Sequence, residues 1–183
     1  MEGRADIPDH GSYTLRPIGL MDLCVMKTKL LLHLGQPKTA TTSLQKYLLR
    51  NRRQLGHQGW LYPRTGLQQV AHHPFAAQFL SIPQTWIRPY DRSSARDALL
   101  RELESSGTSR VILSSEVLFH ADRQDAIPEY FRDFDVHALV YLRRQDEWVE
   151  SSYRNDLKSG VIDAIEPERY LYLPMVRDGV LDY

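Results

Sequence analysis

Residues 27–44 read KTKLLLHLGQPKTATTSL, and they carry the clearest structural signals in the chain. Residues 27–34 are a short, mostly apolar run that ends at Gly35, which is typical of a buried strand. Small hydroxyl residues follow, and Thr41 or Thr42 is predicted to cap a helix over residues 43–55. The stretch therefore predicts a strand, a tight loop and a helix whose N-terminus opens directly from that loop.

The rest of the chain continues this alternation of strands and helices. The apolar runs predict strands over residues 60–62, 110–113 and 136–142, and the helical spacing predicts helices over residues 72–80, 93–104 and 146–159. The runs RVIL and VHALVYL are nearly continuous in apolar residues, which is typical of parallel strands buried on both faces. The pattern as a whole predicts an α/β domain, with helices flanking a parallel sheet.

Composition excludes several classes of protein. The chain has 183 residues, of which 42% are hydrophobic and 25% charged, and these values are typical of one globular domain. Lys and Arg number 23, as do Asp and Glu, so the zero net charge argues against a nucleic-acid partner held by bulk positive charge. Cys24 is the only cysteine, which excludes an intrachain disulfide and a cysteine zinc cage.

The N-terminal region shows no sustained periodicity. We expect residues 1–25 to form a flexible arm and residues 26–183 to form the α/β domain. Residues 1–20 contain charged side chains and no apolar core of a signal peptide, and no apolar run approaches the 18 residues of a membrane helix. These features predict a cytoplasmic protein without a membrane span.

The loop over residues 35–43 is suited to bind an anion. Backbone N–H groups at a helix N-terminus lack partners and attract negative charge, and Lys38 adds a full positive charge beside them. The loop is not a Walker A motif, because that motif needs a glycine directly before its lysine and Pro37 stands there. The alternative is a threonine-rich helix start that carries an incidental lysine.

Residues 37–44, PKTATTSL, resemble the 5′-phosphosulfate loop PKTGTTxL of the sulfotransferases that use 3′-phosphoadenosine 5′-phosphosulfate (PAPS). The resemblance implies a P-loop NTPase-like three-layer sandwich and a sulfuryl donor bound by the loop. The loop residues implied to bind it are Pro37, Lys38, Thr39, Ala40, Thr41, Thr42 and Ser43. Ala40 stands where the family has glycine, and a positive φ there would cost about 1 kcal/mol.

A second segment, LVYLRRQDEWVESSY over residues 139–153, is similar to the family's 3′-phosphate motif. That motif has an arginine at a strand end and a serine eight residues later, which Arg143 and Ser151 match. An arginine at the carboxyl end of a parallel strand lies where α/β folds bind ligands, and its guanidinium can hold a phosphate by two hydrogen bonds. The alternative is that Arg143 and Arg144 form ordinary ion pairs with the acidic residues that follow.

The reaction implied by the resemblance needs a general base and a group that stabilises the leaving phosphate. Glu116, just after the strand over residues 110–113, is the first candidate for the base, and an exposed acid that caps the next helix is the alternative. His72 and His73 are weaker candidates. Lys38 would stabilise the leaving phosphate, and no spacing in the sequence predicts a metal site.

The resemblance implies a transfer of sulfuryl from PAPS to a hydroxyl or amine of a small-molecule or carbohydrate acceptor. Domains of this family usually continue beyond the second motif, so it also implies that the C-terminal part of the domain is missing here and the fold incomplete. Two alternatives follow: a truncated, non-catalytic nucleotide-binding remnant, and a P-loop nucleotide kinase. The sequence predicts neither the acceptor nor the oligomeric state.

Overall fold

Three parallel strands form the centre of the protein. The computed structural model describes residues 27–89, 91–160 and 162. The strands are β1 (Thr28–Gly35), β2 (Arg110–Ser114) and β3 (Phe134–Val140), in the order β2-β1-β3. Leu30 of β1 is in register with Val111 of β2 and with Val136 of β3. The predicted arm over residues 1–25 and the tail from residue 163 lie outside the described residues.

Helices connect these strands, as parallel pairing requires. The α-helices are α1 (Thr41–Arg50), α2 (Arg52–His57), α3 (His73–Ala76), α4 (Arg92–Ser106), α5 (Ala126–Tyr130) and α6 (Gln145–Ser159). Two short 3₁₀ helices, Ala77–Phe79 and Glu116–His120, follow α3 and β2. The predicted α/β class, with a parallel sheet flanked by helices, is confirmed.

The sheet has a hydrophobic core on each face. On one face Leu30 and Leu32 pack in a cluster with Leu99 of α4. On the other face Ile112 packs with Leu48 of α1, so the two clusters bury opposite faces of the same strands. This arrangement fixes the carboxyl ends of β1 and β2 at one edge, from which the loops that follow them emerge.

The prediction of one continuous helix over residues 43–55 is wrong. The chain forms α1 and α2, which are separated at Asn51. The side-chain amide of Asn51 donates to the carbonyl of Tyr47 at 2.8 Å, and a side chain that competes for helix carbonyls in this way favours a helix end. The predicted caps Thr41 and Thr42 already lie within α1, and the N-cap is Ala40.

Two strand predictions also need correction. Residues 60–62 form no strand, because only Leu61 makes a single bridge, to Val111, before Pro63 removes the next backbone donor. β3 is parallel as predicted but is not buried on both faces. Val136 and Val140 are 38% and 39% exposed and line an open groove, whereas β2 at the other edge of the described sheet is buried.

Candidate active site

The loop between β1 and α1 has an unusual backbone. Lys38 and Ala40 both adopt left-handed conformations, with φ of 67° and 61°. The carbonyl of Ala40 accepts hydrogen bonds from the backbone of Ser43 and Leu44 at 2.9 and 3.1 Å, which starts α1. Ala40 therefore occupies a conformation that glycine adopts with less strain.

Helix α6 and Arg143, which precedes it, hold this loop in place. The ammonium of Lys38 donates to Oδ1 of Asn155 at 2.9 Å. The indole Nε1 of Trp148 donates to the carbonyl of Pro37 at 2.8 Å, and Nη1 of Arg143 donates to the carbonyl of Lys38 at 3.3 Å. The two segments that resemble phosphate motifs are thus in direct contact.

A cleft of about 440 Å³ opens where these segments meet. It is lined by Pro37, Lys38, Ala40, Thr41, Thr42, Glu116, Ser151 and Asn155. All of these except Asn155 are predicted site residues. Thr39, Ser43, Arg143, His72 and His73 are not among the lining residues, and Thr39 instead donates its hydroxyl to the carbonyl of Gln36 at 2.5 Å.

Arg143 lies beside the cleft rather than in its wall. Its side chain is 37% exposed, and its Nε donates to Glu147 at 3.2 Å, which is the kind of ion pair that the alternative interpretation expects. Arg144 is paired with Asp146 through two hydrogen bonds. Among the described residues it makes no hydrogen bond to the loop or to Ser151. Arg143 can exchange its exposed pair with Glu147 for a ligand at small cost, because surface ion pairs contribute little.

Glu116 is placed by the ends of β1 and β2. It is half-buried and begins the 3₁₀ helix after β2, where its backbone packs against Gly35 so closely that a Cβ on Gly35 would lie 3.1 Å from the Glu116 Cα. Its Oε2 accepts a 2.6 Å hydrogen bond from the amide of Gln45, a buried side chain of α1. Among the described residues that amide is the only hydrogen-bond donor to this carboxylate, so a second oxygen remains for a ligand.

The arrangement around His72 favours a structural role. This ring is fully buried, and its Nε2 lies 3.1 Å from the carbonyl of Pro63, so Nε2 carries the proton. Nδ1 accepts from the backbone N–H of Ser114 at 3.2 Å. Burial lowers the pKa of His72 to about 4, since the charged ring would lose its solvation.

His73 is closer to the candidate chemistry. Its Nδ1 shares a 2.9 Å hydrogen bond with the hydroxyl of Ser115, the residue before Glu116. The ring of Trp86 meets it edge-on at 5.1 Å. Burial lowers the pKa of His73, and the negative charge of Glu116 partly opposes this shift.

Sequence reasoning missed three polar residues around the cleft. Gln45 orients Glu116, Asn155 holds Lys38, and His33 is buried behind them with its Nδ1 bonded to Ser114 Oγ at 2.8 Å. Asn155 follows Ser151 by four residues, so helical spacing alone could have placed both on one face of α6. Gln45 and His33 carried no comparable signal, because His33 lies within a run interpreted as apolar and Gln45 is one polar residue of a helix predicted to have only one apolar face.

A scan against protein-family models found no match to this chain, and searches of curated proteins and of solved structures found none. Within residues 27–89, 91–160 and 162, no group of three or more His, Cys, Asp or Glu side chains could hold a metal ion. No helix in the part of the chain that the structure describes is long and apolar enough to cross a membrane.

Proposed function

We propose that this protein is a sulfotransferase with a P-loop-like fold, which transfers a sulfuryl group from PAPS to a hydroxyl or amine of a small-molecule or carbohydrate acceptor. The observation that carries the proposal is the contact between the loop around Lys38 and the start of α6. Two segments that each resemble a phosphate-binding motif share one cleft, with Lys38 and Ser151 both in its wall.

The donor groups of the cleft suit a molecule with several phosphate oxygens. Lys38 supplies positive charge, Thr41 and Thr42 supply hydroxyls, and the first turn of α1 supplies backbone N–H groups without helical partners. Arg143 is within reach of the same loop and would add a planar, bidentate donor. A volume of about 440 Å³ is within the range of small-molecule sites.

PAPS, when bound, supplies an activated sulfuryl group whose bond to the phosphate oxygen breaks as the acceptor oxygen or nitrogen attacks sulfur. The carboxylate of Glu116 accepts the proton that the acceptor loses, and the amide of Gln45 keeps this carboxylate turned to the cleft. Lys38 balances the negative charge that develops on the phosphate side. His73 is the second candidate for the base, through its contact with Ser115.

The first test is a thermal-unfolding shift with 3′-phosphoadenosine 5′-phosphate, the product of the donor, compared with ATP plus magnesium. A ligand of the folded state raises stability by about 2.7 kcal/mol at a hundredfold excess over Kd. We expect a shift with the first ligand that is lost in Lys38→Ala and in Arg143→Ala. Lys46→Ala on α1 and Arg144→Ala beside Arg143 are the matched controls and should keep it.

Each other result points to a different function. A shift with ATP and magnesium alone would favour the nucleotide kinase, and the absence of a shift with either ligand in a folded protein would remove the donor site. If the donor product binds but Glu116→Gln leaves sulfuryl transfer from radiolabelled PAPS to a panel of acceptors unchanged, Glu116 is not the base. The acceptors tested are the panel and an extract of the source cell. If the donor product binds but sulfuryl is transferred to none of them, the protein is a non-catalytic nucleotide-binding protein.

A further inference from the structure

A second cleft, also of about 440 Å³, lies between α2 and residues 60–64. Arg52, Arg53 and Arg64 line it together with His57 and Trp60, and none of its lining residues is Asp or Glu. It shares no lining residue with the cleft around Lys38. In a chain whose formal net charge is zero, three arginines in one concave site are a local concentration of positive charge.

The carboxylate that contacts this cluster is already occupied. Glu102 of α4 accepts hydrogen bonds from the backbone of Arg64 and Thr65, both at 2.8 Å, and from the hydroxyl of Thr65 at 2.7 Å. It lies 3.5 Å from the guanidinium of Arg52, whose Nε donates to the carbonyl of Tyr62 at 2.8 Å. Arg52 is therefore fixed in the wall, and Glu102 has little capacity left for the other two arginines.

Arg53 and Arg64 are exposed, and their guanidinium groups form neither an ion pair nor a hydrogen bond with any residue the structure describes. By contrast, Arg132, Arg144 and Arg154 each pair with a carboxylate. Burial lowers the pKa of Arg52 most, and the positive charge of Arg64 lowers it further. The cleft therefore presents two free guanidinium groups next to a third that is held in place.

We propose that this cleft binds a small anion that carries several phosphate or sulfate groups. A guanidinium matches the geometry of a phosphate or sulfate with two parallel hydrogen bonds, so two free arginines can hold two such groups. The volume suits a small molecule. This site lies outside the cleft of the proposed function and does not depend on it.

The test measures binding of two probes to the full chain by isothermal titration calorimetry, namely tripolyphosphate and sucrose octasulfate. Charge-assisted hydrogen bonds predict that the double substitution Arg53→Gln with Arg64→Gln weakens binding by at least about tenfold. The control pair, Arg132→Gln with Arg154→Gln, removes the same charge elsewhere and should leave the affinity within about twofold. Lys38→Ala identifies any probe that binds in the other cleft, which also suits phosphate oxygens, because only such a probe loses affinity in that variant.

The replaced arginines are exposed, so thermal unfolding should show that all variants remain folded. The proposal is supported if either probe binds less tightly to the Arg53 and Arg64 double variant and about equally to the control pair. The probe that behaves in this way identifies phosphate or sulfate as the preferred group. An equal loss in both double variants would mean that bulk charge alone attracts the probes, and a loss only in Lys38→Ala would place them in the other cleft. Either result, or no binding of either probe, overturns the proposal.

Discussion

The ammonium of Lys38 lies 2.9 Å from Oδ1 of Asn155, although the two residues are 117 positions apart in the chain. This contact, with the bond from the Trp148 indole to the carbonyl of Pro37, attaches the loop after β1 to α6. The positive charge of the loop is thereby held at a defined position, which reduces the entropy lost when an anion binds. The loop and the helix should act as one unit in ligand binding.

Replacing Asn155 by Asp should weaken the binding of the donor product, although it keeps the hydrogen bond to Lys38. A carboxylate would keep an acceptor for Lys38 but add a negative charge inside the proposed donor cleft. We expect the affinity for 3′-phosphoadenosine 5′-phosphate to fall about tenfold, because like charges repel in a partly desolvated site. Calorimetric titration measures it, with Gln54→Glu on α2, outside the cleft, as a control for added charge. Equal affinities in both variants would contradict the placement of Asn155 in the cleft that binds the donor product.

Ala40→Gly should stabilise the protein. Ala40 has a φ of 61°, and alanine in this region is strained by about 1 kcal/mol relative to glycine. The control is Ala77→Gly, where φ is −57° and glycine should destabilise by about 0.5–1 kcal/mol. Urea unfolding measures both, and destabilisation of similar size at both positions would argue against the left-handed conformation of Ala40.

Gly66→Ala should destabilise the loop that carries His72. A Cβ at Gly66 would lie 2.3 Å from the ring of Phe75, a core residue, and φ there is +68°. We expect a loss of about 2–4 kcal/mol from overpacking and backbone strain together. Gly56→Ala in α2 meets nothing within 4 Å and should instead stabilise by about 0.5–1 kcal/mol. Urea unfolding should therefore show a lower free energy of unfolding for Gly66→Ala and a higher one for Gly56→Ala.

Local sequence patterns predicted the class of fold because β1, β2, α4 and α6 each carry their own signals. Apolar runs that end at turn residues define the strands. Gly107 ends α4 and Gly160 ends α6. The errors arose where the packing over a strand or a particular side-chain hydrogen bond decides the outcome. The exposure of β3 depends on what packs over its faces, and the break at Asn51 depends on a side-chain hydrogen bond that periodicity does not show.

The candidate site divides in the same way. Lys38 and Ser151 were predicted from the resemblance of two segments to phosphate motifs, and Glu116 from its place after a strand, and the three line one cleft. Gln45 was not, because its amide matters only once α1 lies over the end of β2 and meets Glu116. Whether the residues in the cleft bind PAPS remains a prediction that the donor-product experiment tests.

Stability should decrease as the pH falls below about 6.5, and His72 should account for much of the change. In the unfolded chain a histidine takes up a proton near pH 6.5, whereas burial lowers the pKa of His72 in the folded protein to about 4. Between these values the unfolded state binds more protons than the folded state, so acid favours unfolding. The difference amounts to about 3 kcal/mol between neutral pH and pH 4.

The share of His72 can be isolated because several histidines act in the same direction. Burial also lowers the pKa of His33, His73 and His120, so the wild-type slope of unfolding free energy against pH is a sum. His72→Gln should reduce that slope between pH 4 and 6.5, while His57→Gln on the exposed surface of α2 should not.

Urea unfolding at several pH values measures the slopes, and NMR of the native protein should show no titration of the His72 ring above about pH 5. A ring that titrates near pH 6.5, or a slope unchanged in His72→Gln, would mean that His72 is accessible to solvent, and its interpretation as a neutral structural link between Pro63 and Ser114 would fail.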